Sequence, residues 1–169
     1  SIKACEECDC GKGKAAALAV LSRAHAESGE AADAVKASKD QLAALRAAGD
    51  KEGEGQALDS LVKLLLGQGD LGAALDLAKE SVQLFEEMGN PKRKAAALLA
   101  TAKIYAEKKS PDKSLTAASE ALKLARGAAD PEGEVEALYA VMGAYLAKED
   151  NSKALDTAAE VLNLFREGK

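Results

Sequence analysis

The chain of 169 residues has no tryptophan, and only 3% of it is aromatic. Its core must therefore be built from smaller side chains, and alanine makes up much of the 47% that is hydrophobic. Helices that meet through alanine approach closely but bury little area per residue, so modest stability shared along the chain is expected. There is one histidine, His25, and three cysteines, Cys5, Cys8 and Cys10, all at the start. Structural zinc and iron–sulfur clusters usually need four such ligands, and no nucleophile–base pair can be assembled from this set. The pattern points away from an enzyme, and no cofactor is expected. No apolar run approaches the ~20 residues of a membrane span. Net charge is −5, which argues against a nucleic-acid partner.

What the chain does have is a pattern repeated every 40 residues. It is clearest in residues 89–128. Leu98, Thr101, Ala102 and Tyr105 follow the i, i+3, i+4, i+7 spacing of a helix that buries one face. Ser114, Leu115, Ala118, Ala121, Leu122 and Ala125 form a second stripe. Ser110 suits a helix N-cap and Pro111 the first helical position, where its missing N–H is no loss. A shift of 40 residues aligns Leu98 with Leu18, Leu58 and Leu138, Tyr105 with His25, Leu65 and Tyr145, and Leu122 with Leu42, Val82 and Leu162. Ala125 aligns with Leu45, Phe85 and Phe165, and Asp50, Asn90 and Asp130 recur as start signals. Four units follow: 9–48, 49–88, 89–128 and 129–169. Short turns make paired helices antiparallel neighbours.

The segments Gly69-Asp70-Leu71-Gly72-Ala73-Ala74-Leu75 and Glu149-Asp150-Asn151-Ser152-Lys153-Ala154-Leu155 resemble the turn and second helix of tetratricopeptide (TPR) repeats. Ala34, Ala74, Ser114 and Ala154 fill the family's small position early in that helix. Ser81 and Ala121 fill a second small position, from which Gln41 and Val161 depart. The common repeat has about 34 residues; a 40-residue unit resembles the longer-helix subtype of kinesin light chains and cell-polarity adaptors. The resemblance implies an all-α fold, an α-solenoid of four helix–turn–helix repeats in a right-handed superhelix. It covers nearly all of the chain, with residues 1–10 as a cysteine-containing tail and 11–169 as the solenoid.

Charge is unevenly shared among the units. Residues 1–48 are balanced, 49–88 carry nine acids against three bases, 89–128 three against nine, and 129–169 nine against four. Opposite charges on neighbouring units would discourage slippage, although each exposed pair contributes only about 0–1 kcal/mol. In the tail, a thiol at Cys10 would stand at the positive end of a helix, which lowers a thiol pKa. Three readings stay open for Cys5, Cys8 and Cys10: a frayed or partner-docked tail, a redox or disulfide role, and a metal site completed by water, Glu6, Asp9 or a partner. His25 shares its column with tyrosines and is expected to pack. Gly11-Lys12-Gly13-Lys14 lacks P-loop spacing. Lys92-Arg93-Lys94 lies about 27 Å from Lys108 and Lys109, so these form no single basic patch.

The resemblance further implies that the first helix of each unit lines a concave groove. Its exposed columns are Ala19, Asp59, Leu99, Tyr139; then Arg23, Lys63, Lys103, Gly143; then Ala26, Leu66, Ala106, Leu146. Arg23, Lys63 and Lys103 make a basic column that suits an acidic extended segment, unless Glu27 and Asp59 pair with the first two. Leu66, Leu99, Tyr139 and Leu146 are the apolar anchors. The family's Lys–Asn carboxylate clamp is absent. Two functions are weighed. One is a non-catalytic scaffold that binds a protein segment in this groove. The other is a structural peripheral subunit of a large assembly, an organellar and for instance photosynthetic one, docked by its ends or convex face. The absent initiator Met and the lack of a polar helix after Leu162, Leu164 and Phe165 favour the second, and leave some of the last apolar face open. The expected location is a soluble compartment, either cytoplasm or an organelle interior such as the plastid stroma, and not the secretory route.

Overall fold

The computed structural model describes the backbone of residues 2–166 and the side chains of residues 11–166. These residues form eight helices and no strand: α1 (Ile2–Glu27), α2 (Ala31–Ala47), α3 (Lys51–Gln68), α4 (Leu71–Glu87), α5 (Pro91–Glu107), α6 (Pro111–Gly127), α7 (Pro131–Ala147) and α8 (Asn151–Arg166). The helix α1 starts at Ile2 and passes unbroken through Cys10, where the sequence suggested a helix start. The side chains of Cys5, Cys8 and Cys10 lie outside the described residues, and so do the readings attached to them. No described helix is long and apolar enough to cross a membrane.

Helices after α1 begin at 31, 51, 71, 91, 111, 131 and 151, so the underlying step is 20 residues. Every connection ends a helix in the same way. Gly29, Gly49, Gly69 and Gly89 have positive φ, and Lys109, Ala129 and Glu149 take the same conformation without being glycine. The next N–H turns back to a carbonyl five residues earlier, as in Asp50 to Leu45, Asp130 to Ala125 and Asp150 to Tyr145, each 3.0 Å. This left-handed closure satisfies carbonyls that the helix end would otherwise leave bare.

The following helix is then capped by side chains. Asp50, Asp70, Asn90 and Asp150 accept the N–H three residues on, at 3.0–3.2 Å. Ser110 departs from expectation: it occupies the cap position but makes no cap bond, and its hydroxyl donates instead to the Lys108 carbonyl at 3.4 Å. Asp130 also forgoes its cap. Its buried carboxylate accepts from Lys92 Nζ at 3.1 Å. Gly133 leaves it room, since a Cβ there would lie 2.7 Å from Asp130 Oδ2.

The chain divides into two compact units, Ser1–Leu77 and Ala78–Lys169. In the first, α2 packs against α1 and α3. Small residues let α1 and α2 meet closely: the Ser22 hydroxyl donates to the Ala34 carbonyl at 3.0 Å and lies 2.6 Å from Ser38 Oγ. Leu58, Leu61 and Val62 of α3 are fully buried. Each such side chain contributes about 1.5–3 kcal/mol on burial.

In the second unit α6 packs against α5 and α7, α8 against α7, and α5 also touches α7. The Ser114 hydroxyl donates to the Ala102 carbonyl at 2.9 Å, the crossing contact of Ser22 and Ala34 with the roles exchanged. Two clusters form the core: Ala95, Leu98, Ala121 and Ala137, then Ala102, Ala117, Ala118 and Val141. Leu162 and Phe165 share columns with buried residues yet are 57% and 59% exposed, and Leu155 beside them is 71% exposed.

Candidate protein-binding face

A large space opens on the exposed columns of the odd-numbered helices in each unit. A smaller one of about 190 Å³ in the second unit lies between the N-terminal ends of α5 and α7, with Lys92, Arg93, Asp130, Glu132 and Glu136 in its lining. In the first unit a space of about 460 Å³ lies between α1 and α3. Arg23 and Lys63 flank it, with Ser22, Ser38, Gln41 and Ser60 among its polar lining. No carboxylate lines it. The hydroxyls are already engaged: Ser60 donates to the Gln56 carbonyl at 2.9 Å, and Ser22 to that of Ala34. The groups that remain to meet an anion are therefore the two cations and the Gln41 amide. Among the described residues neither Arg23 nor Lys63 forms a salt bridge, while Asp59 does have an interaction of its own.

In the second unit a space of about 410 Å³ lies between α5 and α7. Its floor is Ala102, Ala106, Ala140 and Ala144, its walls are Leu99 and Tyr139, and Lys103 and Glu136 stand at its edge. Tyr139 is 50% exposed. Asp59, Leu66 and Leu146 line neither cavity: Asp59 and Leu66 are half-buried and Leu146 is exposed. The structure thus brings Arg23 to Lys63, and Leu99 and Lys103 to Tyr139. Glu136 was missed in the sequence because only columns with a repeated chemical character stood out. Its place three residues before Tyr139, on the same face of α7, was the available sign.

Away from these cavities several charged side chains pair across turns or between neighbouring helices. Lys94 is held above the ordinary lysine value by its hydrogen bond to Glu86, with Glu120 adding to it. Arg126 is raised chiefly by Glu134, with Glu160 adding to it. Lys153 holds the Asp150 carboxyl below its ordinary value, and Asp150 raises Lys153 in return. His25 is half-buried with Nδ1 against the Glu30 carboxylate, and Asp33 completes a group of three potential ligands within 4.8 Å.

No family model matches the chain, and no curated protein does. Solved structures do match. Aspartyl phosphate phosphatase F from Bacillus subtilis superposes with a TM-score of 0.84 at 13% identity, over 94% of this chain and 42% of that one. BtubC from P. vanneervenii gives 0.79 at 15%, over 90% and 63%. A kinesin light chain of nearly identical TPR-like repeats from Podosopora anserina gives 0.78 at 14%, over 91% and 76%. The fold is a TPR-like α-solenoid. The chain spans less than two thirds of the first two structures. In the TPR-like frame α1, α3, α5 and α7 are the A helices, and both cavities open between A helices of successive repeats.

Proposed function

We propose that the chain is a non-catalytic protein-interaction scaffold that holds a segment of a partner along its A helices. The observation that carries this reading is the pair of cavities, each opening between A helices and each lined by exposed-column residues. Arg23, Lys63 and Lys103 would orient an acidic extended segment and speed its encounter, an effect that salt weakens. Tyr139, with Leu99 beside it, is the principal anchor, because an aromatic ring buries much area with few torsions to fix. Asp59 and Leu66 in the first unit, and Leu146 in the second, are proposed as further contacts beside the cavity of their own unit. The working place is the cytoplasm or an organelle interior.

The test takes a partner captured from the source organism and measures its affinity for two variants. Tyr139→Ala should weaken binding roughly tenfold, or about 1.4 kcal/mol. The triple reversal Arg23→Glu, Lys63→Glu, Lys103→Glu should weaken it further and flatten its salt dependence. Parent-like affinity in both would defeat the groove reading. A second reading, a structural subunit docked by its end, is favoured by the exposed row Leu155, Leu162 and Phe165 on α8. It requires that Leu162→Glu abolish assembly while both groove variants leave it unchanged.

A further inference from the structure

The cavity between α5 and α7 differs in kind from the one between α1 and α3. It holds one charge of each sign, and the rest of its lining is almost entirely apolar and small. We infer that it is the seat for one large apolar side chain, aromatic or long aliphatic, carried by an extended partner segment that has a base on one side of that residue and an acid on the other. This inference rests on the scaffold reading above and specifies the partner at that one place.

Size supports it first. A cavity of about 150 Å³ lined by apolar side chains already takes benzene. The 410 Å³ here leaves room for an indole or a methionine side chain with its backbone at the mouth. The floor is built from Ala102, Ala106, Ala140 and Ala144, so nothing from the chain's own core reaches into the space. Gly143 faces it too, and a Cβ placed there would meet no atom within 4 Å. Leu99 and Tyr139 supply apolar walls against which a ring packs.

Charge supports it second. Neither Lys103 nor Glu136 forms an ion pair among the described residues, although many other charges of this unit are paired. The 40-residue repeat puts Lys103 level with Gly143, seven residues beyond Glu136, so the two charges lie about 10 Å apart along the helix direction. An extended chain covers that distance in roughly three residues. The matching segment therefore places its base toward the N-terminal ends of α5 and α7, its acid toward their C-terminal ends, and the anchor between them. A uniformly acidic segment would set a carboxylate against Glu136.

Three probes test this on the full chain by amide chemical shifts: N-acetyl-tryptophanamide, the peptide Lys-Ser-Trp-Ser-Glu, and its charge-exchanged form Glu-Ser-Trp-Ser-Lys. The amide of tryptophan should perturb Gly143, Ala140 and Ala106 selectively. One of the two peptides should bind at least threefold more tightly than the other. The exchange Lys103→Glu with Glu136→Lys should invert that preference. Gly143→Leu fills the space from within, and should abolish the perturbation while melting at or above the parent temperature, so lost binding cannot be ascribed to lost fold. Absence of selective perturbation, its persistence in Gly143→Leu, or equal binding of the two peptides overturns the inference. A fourth probe, the acidic peptide Glu-Ser-Glu-Ser-Glu, reads the other cavity: if it binds and is lost on Arg23→Glu with Lys63→Glu, the groove reading survives that failure. If no probe binds at either cavity, both readings fall.

Discussion

Lys94 Nζ lies 3.0 Å from Glu86 Oε1, a bond between the last turn of one helix and the first turn of the next. Forty residues earlier and forty later the same two positions are joined with the charges exchanged, Arg46 to Glu54 and Arg126 to Glu134, each at 2.8 Å. The exchange accounts for two of the nine acids of residues 49–88, Glu54 and Glu86, and two of the nine bases of residues 89–128, Lys94 and Arg126. At these three turns, forty residues apart, the sign of the pair alternates.

Reversal of one member should therefore cost more than reversal of both. Glu86→Lys places two cations at one turn and should lower stability by roughly 0.5–1 kcal/mol, and adding Lys94→Glu should recover part of this. Recovery will be incomplete because Glu120, 3.4 Å from Lys94, would then face a carboxylate. Urea unfolding of the two single variants and the double variant measures the coupling. Because Lys94 is raised in the folded state, its contribution is fully present below the ordinary lysine pKa and is lost only as pH climbs through the raised value.

Lys109, Ala129 and Glu149 hold φ of 52°, 51° and 60°, in the region that the earlier turns reserve for glycine. A residue with a Cβ is strained there by about 1–2 kcal/mol. Glycine relieves this but gains freedom in the unfolded chain, which offsets about 0.4–1 kcal/mol. Each of Lys109→Gly, Ala129→Gly and Glu149→Gly should raise the unfolding free energy by a net of roughly 0.5 kcal/mol, read as a higher urea midpoint. Gly69→Ala should do the opposite. The space around Gly69 is open, so its cost would come from φ alone.

Asp150 caps α8 through two bonds from Lys153, one from the backbone N–H at 3.2 Å and one from Nζ at 2.9 Å, while its own N–H donates to the Tyr145 carbonyl of α7 at 3.0 Å. Lys153 Nζ also stands 5.5 Å from the centre of the Tyr145 ring. The depressed Asp150 carboxyl contributes stability that is present above its ordinary pKa and is lost as pH falls through the folded value. Asp150→Asn keeps an acceptor for the cap and removes the charge. The gap between parent and variant melting temperatures should be constant near neutrality and should close below about pH 4.

On α8, Leu155→Lys and Leu162→Glu should change stability by no more than about 0.5 kcal/mol, since both side chains are largely in solvent already. They should also lower any self-association of the isolated chain, because a row of exposed apolar side chains promotes it. Sedimentation velocity over a concentration series reads the second effect and thermal melts the first.

Helix number and pairing were legible because Leu58, Leu98 and Leu138 recur at one spacing and are all buried. The shorter 20-residue step was hidden. It places His25, Leu45, Leu65, Phe85, Tyr105, Ala125 and Tyr145 in one column, too varied chemically to be seen as one. Its punctuation was hidden also, since glycine marks the first four turns and lysine, alanine and glutamate the last three. The basic column could be read because three charges repeat. Its division between two cavities could not, because Ser38 and Gln41 reach the first from α2, outside any A-helix column. Nor could the rings that follow the 20-residue step, Phe85 with Arg93, Tyr105 with Lys113 and Tyr145 with Lys153, each 5.5–5.7 Å from its cation. Only the aligned step shows that each ring closes one helix and each cation opens the next.

The exchanged polarity of the turn pairs imposes a parity on the chain's own editing. Excision of residues 49–88 would leave every helix length and turn intact, yet it would bring Arg46 opposite Lys94, like against like. Excision of 49–128 would bring Arg46 opposite Glu134 and Lys12 opposite Asp130, the latter reproducing the contact that Lys12 now makes with Asp50 at 3.7 Å. The unit that can be lost or duplicated without electrical conflict is thus two helix hairpins, eighty residues long. Tandem growth or shrinkage of this sequence by single repeats would have to rewrite a charge at the seam each time.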